Sequence, residues 1–202
     1  MGRKDTIASK RRGLSRGFST LEVLVALVVI LILGAMVSPQ VVRTLRTYQL
    51  NDKATRLAGL VKVTRFEAIR TNTKVSMGLV QAGGQWTVWK DTIANGTPDA
   101  TEVQEVFGEP ANLLAAAAAP SPAPIAATVG TLNLTVKSGA NGAITFDARG
   151  AVDYGAGPQT VYVFYVGSAT DPQVGYRAVV VLPSGATQLW TSTSAGNWRR
   201  TG

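Results

Sequence analysis

Apolar residues run almost unbroken from Phe18 to Ser38, in "FSTLEVLVALVVILILGAMVS", and Glu22 is the one charge among them. As a helix rising about 1.5 Å per residue, this stretch matches a hydrocarbon core of about 30 Å. Beyond Pro39 a helical period sets in. Leu50, Ala54, Leu57, Val61 and Ile69 fall near one face, with Leu60 and Phe66 broadening it. Arg43, Arg46, Lys53, Arg56, Lys62 and Arg65 take the other faces. The pattern predicts one helix from Phe18 to about Arg70, ~80 Å long, with its first half in lipid and its second half packed on a globular domain. Gly34 and Pro39 mark an expected helix break or bend.

After Thr73 the period shortens to two. The stretches "KVSMGLV" (74–80) and "QWTVWKD" (85–91) flank "QAGG" and read as a hairpin. Further strands are expected at 101–107, 131–137, 143–152, 159–167, 176–185 and 186–192, with turns at Gly150 and at "PSG" (183–185). The Ala/Pro-rich stretch 109–130 reads as a long surface loop. Pro120, Pro122 and Pro124 stop any helix in its alanine run after one turn. The expected fold class is α+β: one long N-terminal helix packed on antiparallel sheets of about seven or eight strands.

Charge sharpens the picture. Six of the 20 basic residues (Arg3, Lys4, Lys10, Arg11, Arg12 and Arg16) and one of the 12 acidic ones (Asp5) precede the apolar run, leaving 14 and 11 in the rest. The net charge of +8 therefore mostly describes a basic leader, which is weak evidence for a nucleic-acid partner. Cations ahead of an apolar span predict an N-terminus that stays in the cytoplasm and a remainder that lies across the membrane. The run is too long for a secretory signal, and its exit, "GAMVSPQ", lacks a small-x-small cleavage site. A plain signal anchor would explain the cations and the length. It would leave Glu22 unexplained, and likewise Gly17, placed directly between leader and run.

Cysteine and histidine are both absent. Disulfides, thiolate and imidazole metal sites and Ser-His-Asp catalysis are thereby excluded. No acidic loop with calcium-ligand spacing stands out. Asp147 and Asp153 are close in sequence, but they sit in a strand–turn stretch. Neither a cofactor, a metal nor an enzymatic activity is expected.

The stretch "RGFSTLEVLVALVV" resembles the processing signal of type IV pilins and type II secretion pseudopilins. Three later stretches, "TRLAGLVKVTRFEAIRTNTKVSM", "ITFDARGAV" and "YRAVVVLPSGATQLW", resemble the GspH/FimT group of minor pilins and pseudopilins. The resemblance implies that a prepilin peptidase cuts between Gly17 and Phe18 and methylates the new amine of Phe18. It makes Glu22 the fifth residue of the mature chain, where the family has its glutamate. There the carboxylate would pair with the amine of a neighbouring subunit, since a paired charge in lipid costs much less than an isolated one. The implied organisation is a cytoplasmic leader (1–17) that is removed, a transmembrane segment (18–38), an amphipathic continuation (39–73) and a periplasmic or extracellular β-rich domain (74–202). The implied partners are the peptidase, other pilin or pseudopilin subunits and an inner-membrane assembly platform. The implied function is that of a structural subunit of a type II secretion pseudopilus or a type IV pilus. The alternative is a FimT-like, DNA-binding minor pilin for natural transformation. In that reading Trp198 stacks on a base, Arg199 and Arg200 meet phosphates, and Arg177 joins them. The chain departs from that pattern at "GATQ" (185–188), where the group's sequence carries two arginines.

Overall fold

The structure is a computed structural model that describes residues 19–121, 123–124, 132–193 and 196–202. Its contacts divide the chain into two units, residues 1–41 and 42–202, and the division falls within the helix α1 (Thr20–Thr71). In the first unit α1 is apolar all round. Its large side chains from Leu21 to Leu33 are 47–71% exposed, which suits lipid rather than water. Among the described residues α1 is the one helix long and apolar enough to cross a membrane. A break or a bend was expected at Gly34 and Pro39; the helix does not end there but is assigned continuously from Thr20 to Thr71. A proline removes one backbone bond and strains the preceding turn, and the long helical segments on either side keep the ladder going.

From residue 42 onward α1 is amphipathic. Leu50, Ala54, Leu57, Ala58, Leu60, Val61 and Ala68 are buried. Thr64 is buried with them, its hydroxyl donating to the Leu60 carbonyl at 2.8 Å. Phe66 and Ile69, expected on this face, are 61% and 41% exposed. At about 100° per residue Phe66 stands roughly 140° from Val61 and Ile69 roughly 80°, so neither reaches the face set by Leu57, Val61 and Ala68. Asn72, at φ 51°, ends the helix in the left-handed region. The Thr73 N–H returns to the Ala68 carbonyl and the Asn72 N–H to Ile69, a Schellman closure.

Among the described residues eleven strands follow: β1 (Val75–Ala82), β2 (Gln85–Asp91), β3 (Gln104–Phe107), β4 (Asn112–Leu114), β5 (Asn133–Val136), β6 (Gly142–Phe146), β7 (Val152–Asp153), β8 (Thr160–Gly167), β9 (Tyr176–Val181), β10 (Thr187–Ser192) and β11 (Arg199–Arg200). They form one sheet in the order β3-β2-β1-β6-β7 and another in the order β11-β10-β9-β8-β4, with β5 also paired to β8. The count exceeds expectation for local reasons. The expected strand 143–152 is cut into β6 and β7 by the Asp147–Gly150 turn. Strand β4 and a 3-10 turn (Ala116–Ala118) arise inside the stretch read as loop, and β11 arises in the C-terminal tail. Pairing is antiparallel except for β5, which runs parallel to the first half of β8. In β1 the Gly78 position faces Trp89, whose ring fills the space a side chain would need; a Cβ on Gly78 would stand 2.2 Å from it.

The two sheets and α1 share one core. Met77, Leu79, Val88, Phe107, Ile144 and Phe146 enter it from the first sheet, and Phe164, Val166, Val179 and Val181 from the second. The second sheet is also buried on its outer side. There Val161, Val163, Tyr165, Tyr176, Ala178 and Val180 pack with Leu114, and with the partly buried Leu134, Trp190 and Trp198. Burial on both sides explains why β8 and β9 read as continuous apolar runs rather than alternating ones.

One contact ties the layers together. The turn after β6 and the turn after β9 meet at Arg65 of α1. Its Nε donates to the Gly150 carbonyl at 2.9 Å, and Val152 N–H donates to the Pro183 carbonyl at 2.9 Å. Gly185 lies at φ 76°, and a Cβ there would stand 2.0 Å from the Gly150 oxygen. Gly185→Ala is therefore expected to destabilise the fold by at least about 1–3 kcal/mol, the cost of a left-handed non-glycine residue alone. Urea unfolding of the detergent-solubilised protein measures this. A change below about 0.5 kcal/mol, the range of ordinary surface substitutions, would contradict the close approach of the two turns.

Candidate functional site

The expected processing site, Gly17 and Phe18, lies outside the described residues. The description begins at Ser19, and the helix is built from there. The Ser19 hydroxyl accepts the N–H groups of Leu21 at 3.2 Å and Glu22 at 3.3 Å, and its carbonyl accepts the N–H of Val23. Ser19 is thus the N-cap and Glu22 the third helical residue, the spacing of a capping box. A carboxylate in the first turn also faces the positive end of the helix dipole. Sequence reasoning passed over Ser19. The signal was present as a serine three residues ahead of a glutamate at the head of an apolar run. Glu22 itself is exposed, the single charge on the apolar part of the helix.

The residues proposed to touch nucleic acid do not form one exposed patch, which corrects that expectation. Trp198 packs on Tyr165, ring centroids 5.7 Å apart, as part of the outer core of the second sheet. Its Nε1 is buried, with no hydrogen-bond partner among the described residues. Burial there lifts the Tyr165 phenol to about 12. The Trp198 ring is consumed by packing and is not presented to a base. Arg177 is only 8% exposed, with Nε donating to the Asn51 amide oxygen at 2.6 Å and Nη1 to the Tyr176 carbonyl at 2.8 Å. Only Arg199 and Arg200, on β11, are exposed.

The carboxylates serve the fold. The Asp147 side chain accepts the N–H groups of Arg149 and Ala151 and shapes the turn after β6. Asp153 pairs with Lys74 at 2.6 Å and accepts the Gly155 N–H, and these contacts hold its carboxyl below the usual range. The loop after β2 gathers Asp91, Asp99 and Glu102, an acidic loop that the sequence reading did not single out. Asp91 accepts the N–H groups of Asn95 and Gly96. Glu102 accepts those of Thr92, Ile93 and Asp99, together with the Thr92 hydroxyl. The buried oxygens of Asp91 and Glu102 are thus spent on backbone donors. Among the described residues no group of three acidic side chains is arranged to hold a metal ion.

Comparison with known proteins adds a family. The model of the family described as type II transport protein GspH matches residues 53–185. Among solved structures, the type IV minor pilin FimU of Pseudomonas aeruginosa is similar at 16% identity and a TM-score of 0.46, over 76% of this chain and 93% of that one. The minor pseudopilin EpsH from the Type 2 Secretion System of Vibrio cholerae is similar at 12% identity and a TM-score of 0.30, over 75% and 95%. No curated protein matches the chain.

Glu102 carries a pH dependence whose sign is fixed by its surroundings. Burial alone would raise its pKa; the N–H donors of Thr92, Ile93 and Asp99 and the Thr92 hydroxyl outweigh it and hold the carboxyl below its ordinary value. A carboxylate depressed on folding stabilises the protein above its unfolded pKa of about 4.3, and that stabilisation fades as pH falls through the lower folded value. The stability difference between the wild type and Glu102→Gln is therefore expected to shrink as pH drops below about 4.3. Paired thermal melts from pH 7 to pH 3 test this, and a difference that stays constant over that range would refute it.

Proposed function

We propose that this chain, which belongs to the GspH family of type II transport proteins, is made as a prepilin-like precursor and becomes a minor pilin or pseudopilin. The leader, residues 1–17, stays on the cytoplasmic side. A prepilin peptidase cuts between Gly17 and Phe18 and methylates the amine of Phe18. The domain carried by residues 74–202 faces the periplasm or the outside. With the help of an inner-membrane assembly platform, the mature chain enters a type II secretion pseudopilus or a type IV pilus through its N-terminal helix. No catalytic step is assigned to it.

The observation that carries this reading is the first unit of α1. It is a helix apolar on every side, started by a serine cap, with one carboxylate in its first turn. A plain anchor needs the apolar length and nothing more. A helix that must be seated beside others in a fixed register benefits from a charge that is satisfied only there. The capped first turn fixes Glu22 three residues beyond Ser19, and the partner proposed for its carboxylate is the Phe18 amine of a neighbouring subunit. The Trp198 ring is packed on Tyr165, so the aromatic platform that the DNA-binding alternative relies on is not presented to a base.

The mature N-terminus tests the reading. Protein purified from cells containing the peptidase is expected to begin at methylated Phe18, by intact mass and N-terminal sequencing. Cells lacking the peptidase should yield the full leader. An intact leader in both strains would overturn it. A second outcome concerns Glu22. Glu22→Ala is expected to leave cleavage intact and to lower incorporation into filaments about tenfold or more, in keeping with a cost of ~2.5–3.5 kcal/mol for an unpaired charge in lipid. Quantitative immunoblotting of sheared filaments measures it, and wild-type incorporation would remove the pairing role.

A further inference from the structure

Strand register places Arg177, Thr191 and Arg199 opposite one another across β9, β10 and β11. Directly opposed residues share one face of an antiparallel sheet, and strands two apart lie about 10 Å from each other. The face is the inner one, since Arg177 alternates with Tyr176 and Ala178 of the outer core and reaches Asn51 on α1. Arg200, one residue on, is paired with Trp190 and belongs to the opposite face. Beside this row lies a cavity of about 360 Å³ lined by Arg177, Arg199, Thr191, Ser192, Thr193 and Asn197.

The chemistry of that cavity is one-sided. Among the described residues its lining carries two guanidiniums, the hydroxyls of Thr191 and Thr193, the Asn197 amide and the apolar Val174, and no carboxylate; the Ser192 hydroxyl donates to the Thr193 carbonyl. A nearly buried charge is ordinarily paired. Among the described residues Arg177 hydrogen-bonds only to two neutral oxygens, and burial pushes its guanidinium below the ordinary value while leaving it cationic. The carboxylate of Asp171, six residues before Arg177 in sequence, is engaged by Arg46 at 2.5 Å. Two like charges on one face of a sheet repel unless an anion sits between them.

We propose that this cavity is a binding site for a carboxylate presented by a second polypeptide, held between Arg177 and Arg199. A guanidinium already fixed through Nε and Nη1 keeps its remaining edge for a ligand, and its fork matches the two oxygens of a carboxylate. The surroundings favour a carboxylate over a nucleic acid. A phosphate backbone is followed by a stripe of cations with aromatic platforms for the bases. Here the cations converge on one concavity, and the neighbouring Trp198 ring is packed on Tyr165. The site does not depend on filament assembly and is testable on unassembled protein.

The test uses the full-length protein in detergent and three probes: a fluorescein-labelled hexaglutamate peptide, a labelled six-residue oligothymidylate and inorganic phosphate as competitor. Arg199→Gln and Arg200→Gln remove the same charge from adjacent residues on opposite faces, and both side chains are exposed, so folding is preserved. Arg199→Gln is expected to weaken hexaglutamate binding by about tenfold or more, the usual loss on truncating one partner of a desolvated charge pair, and Arg200→Gln by less than about twofold. Arg177→Lys, which keeps the charge and removes the fork, should weaken it as well. Equal losses from Arg199→Gln and Arg200→Gln would reduce the effect to general electrostatics and overturn the site. Tighter, Arg199-dependent binding of oligothymidylate, or complete competition by phosphate at micromolar concentration, would reassign it to a phosphate ligand. No binding of hexaglutamate would refute it outright.

Discussion

The apolar stripe of α1 from Leu50 to Ala68 is the surface on which residues 42–202 are organised. Both sheets need a partner for their inner faces, and one helix has to serve both. It does so with small residues. Ala54, Ala58 and Ala68 let the strands approach closely, while Leu50, Leu57 and Val61 fill the space between. Losing a buried leucine from such a site costs about 2–5 kcal/mol, a large share of the 5–15 kcal/mol that holds a domain together. The second sheet then has apolar residues left over. Its central strands are buried on the outer side too, and the chain must supply a cover from its own loops and tail. That demand decides the fate of Trp198. Burying an apolar side chain is worth about 1.5–3 kcal/mol, and the ring goes where the uncovered sheet is.

Much of this was legible in sequence, and the failures are instructive. The long helix, the β1–β2 hairpin and the central strands β8 and β9 all announce themselves by period and length. Phe66 and Ile69 misled because they fit a wide apolar face in sequence, while at about 100° per residue they stand off the stripe set by Leu57, Val61 and Ala68. The turn at Gly150 was expected, but 143–152 was still read as one strand, because "DARG" continues the strand pattern until Asp147 takes the turn's N–H groups. The parallel partner β5 was invisible, since nothing in "NLTV" says which neighbour it will choose. At the membrane end the sequence spoke for Glu22 through its isolation, and stayed quiet about Ser19, whose role is purely local hydrogen bonding. The arginines were the hardest to read. Arg177 and Arg199 are 22 residues apart in sequence, and only strand register makes them neighbours across Thr191.

The acidic residues tell a related story. A carboxylate has up to four lone-pair sites, and an isolated buried one is costly. Asp91, Glu102 and Asp147 each solve this with backbone N–H groups in tight turns, and Asp153 with a lysine. Buried acids in this domain thus come with their own donors. Among the described residues Arg177 has no carboxylate partner, only two neutral oxygens.

The meeting of two turns at Arg65 has a mechanical meaning. A side chain of α1 holds the Gly150 turn, and that turn is braced in turn by the loop of the other sheet. Tension applied to the helix is therefore shared by both sheets at the same height. Peeling one away requires moving the glycine against which the other is wedged. Force that pulls either sheet from α1 at this point therefore also loads the other through the same residue.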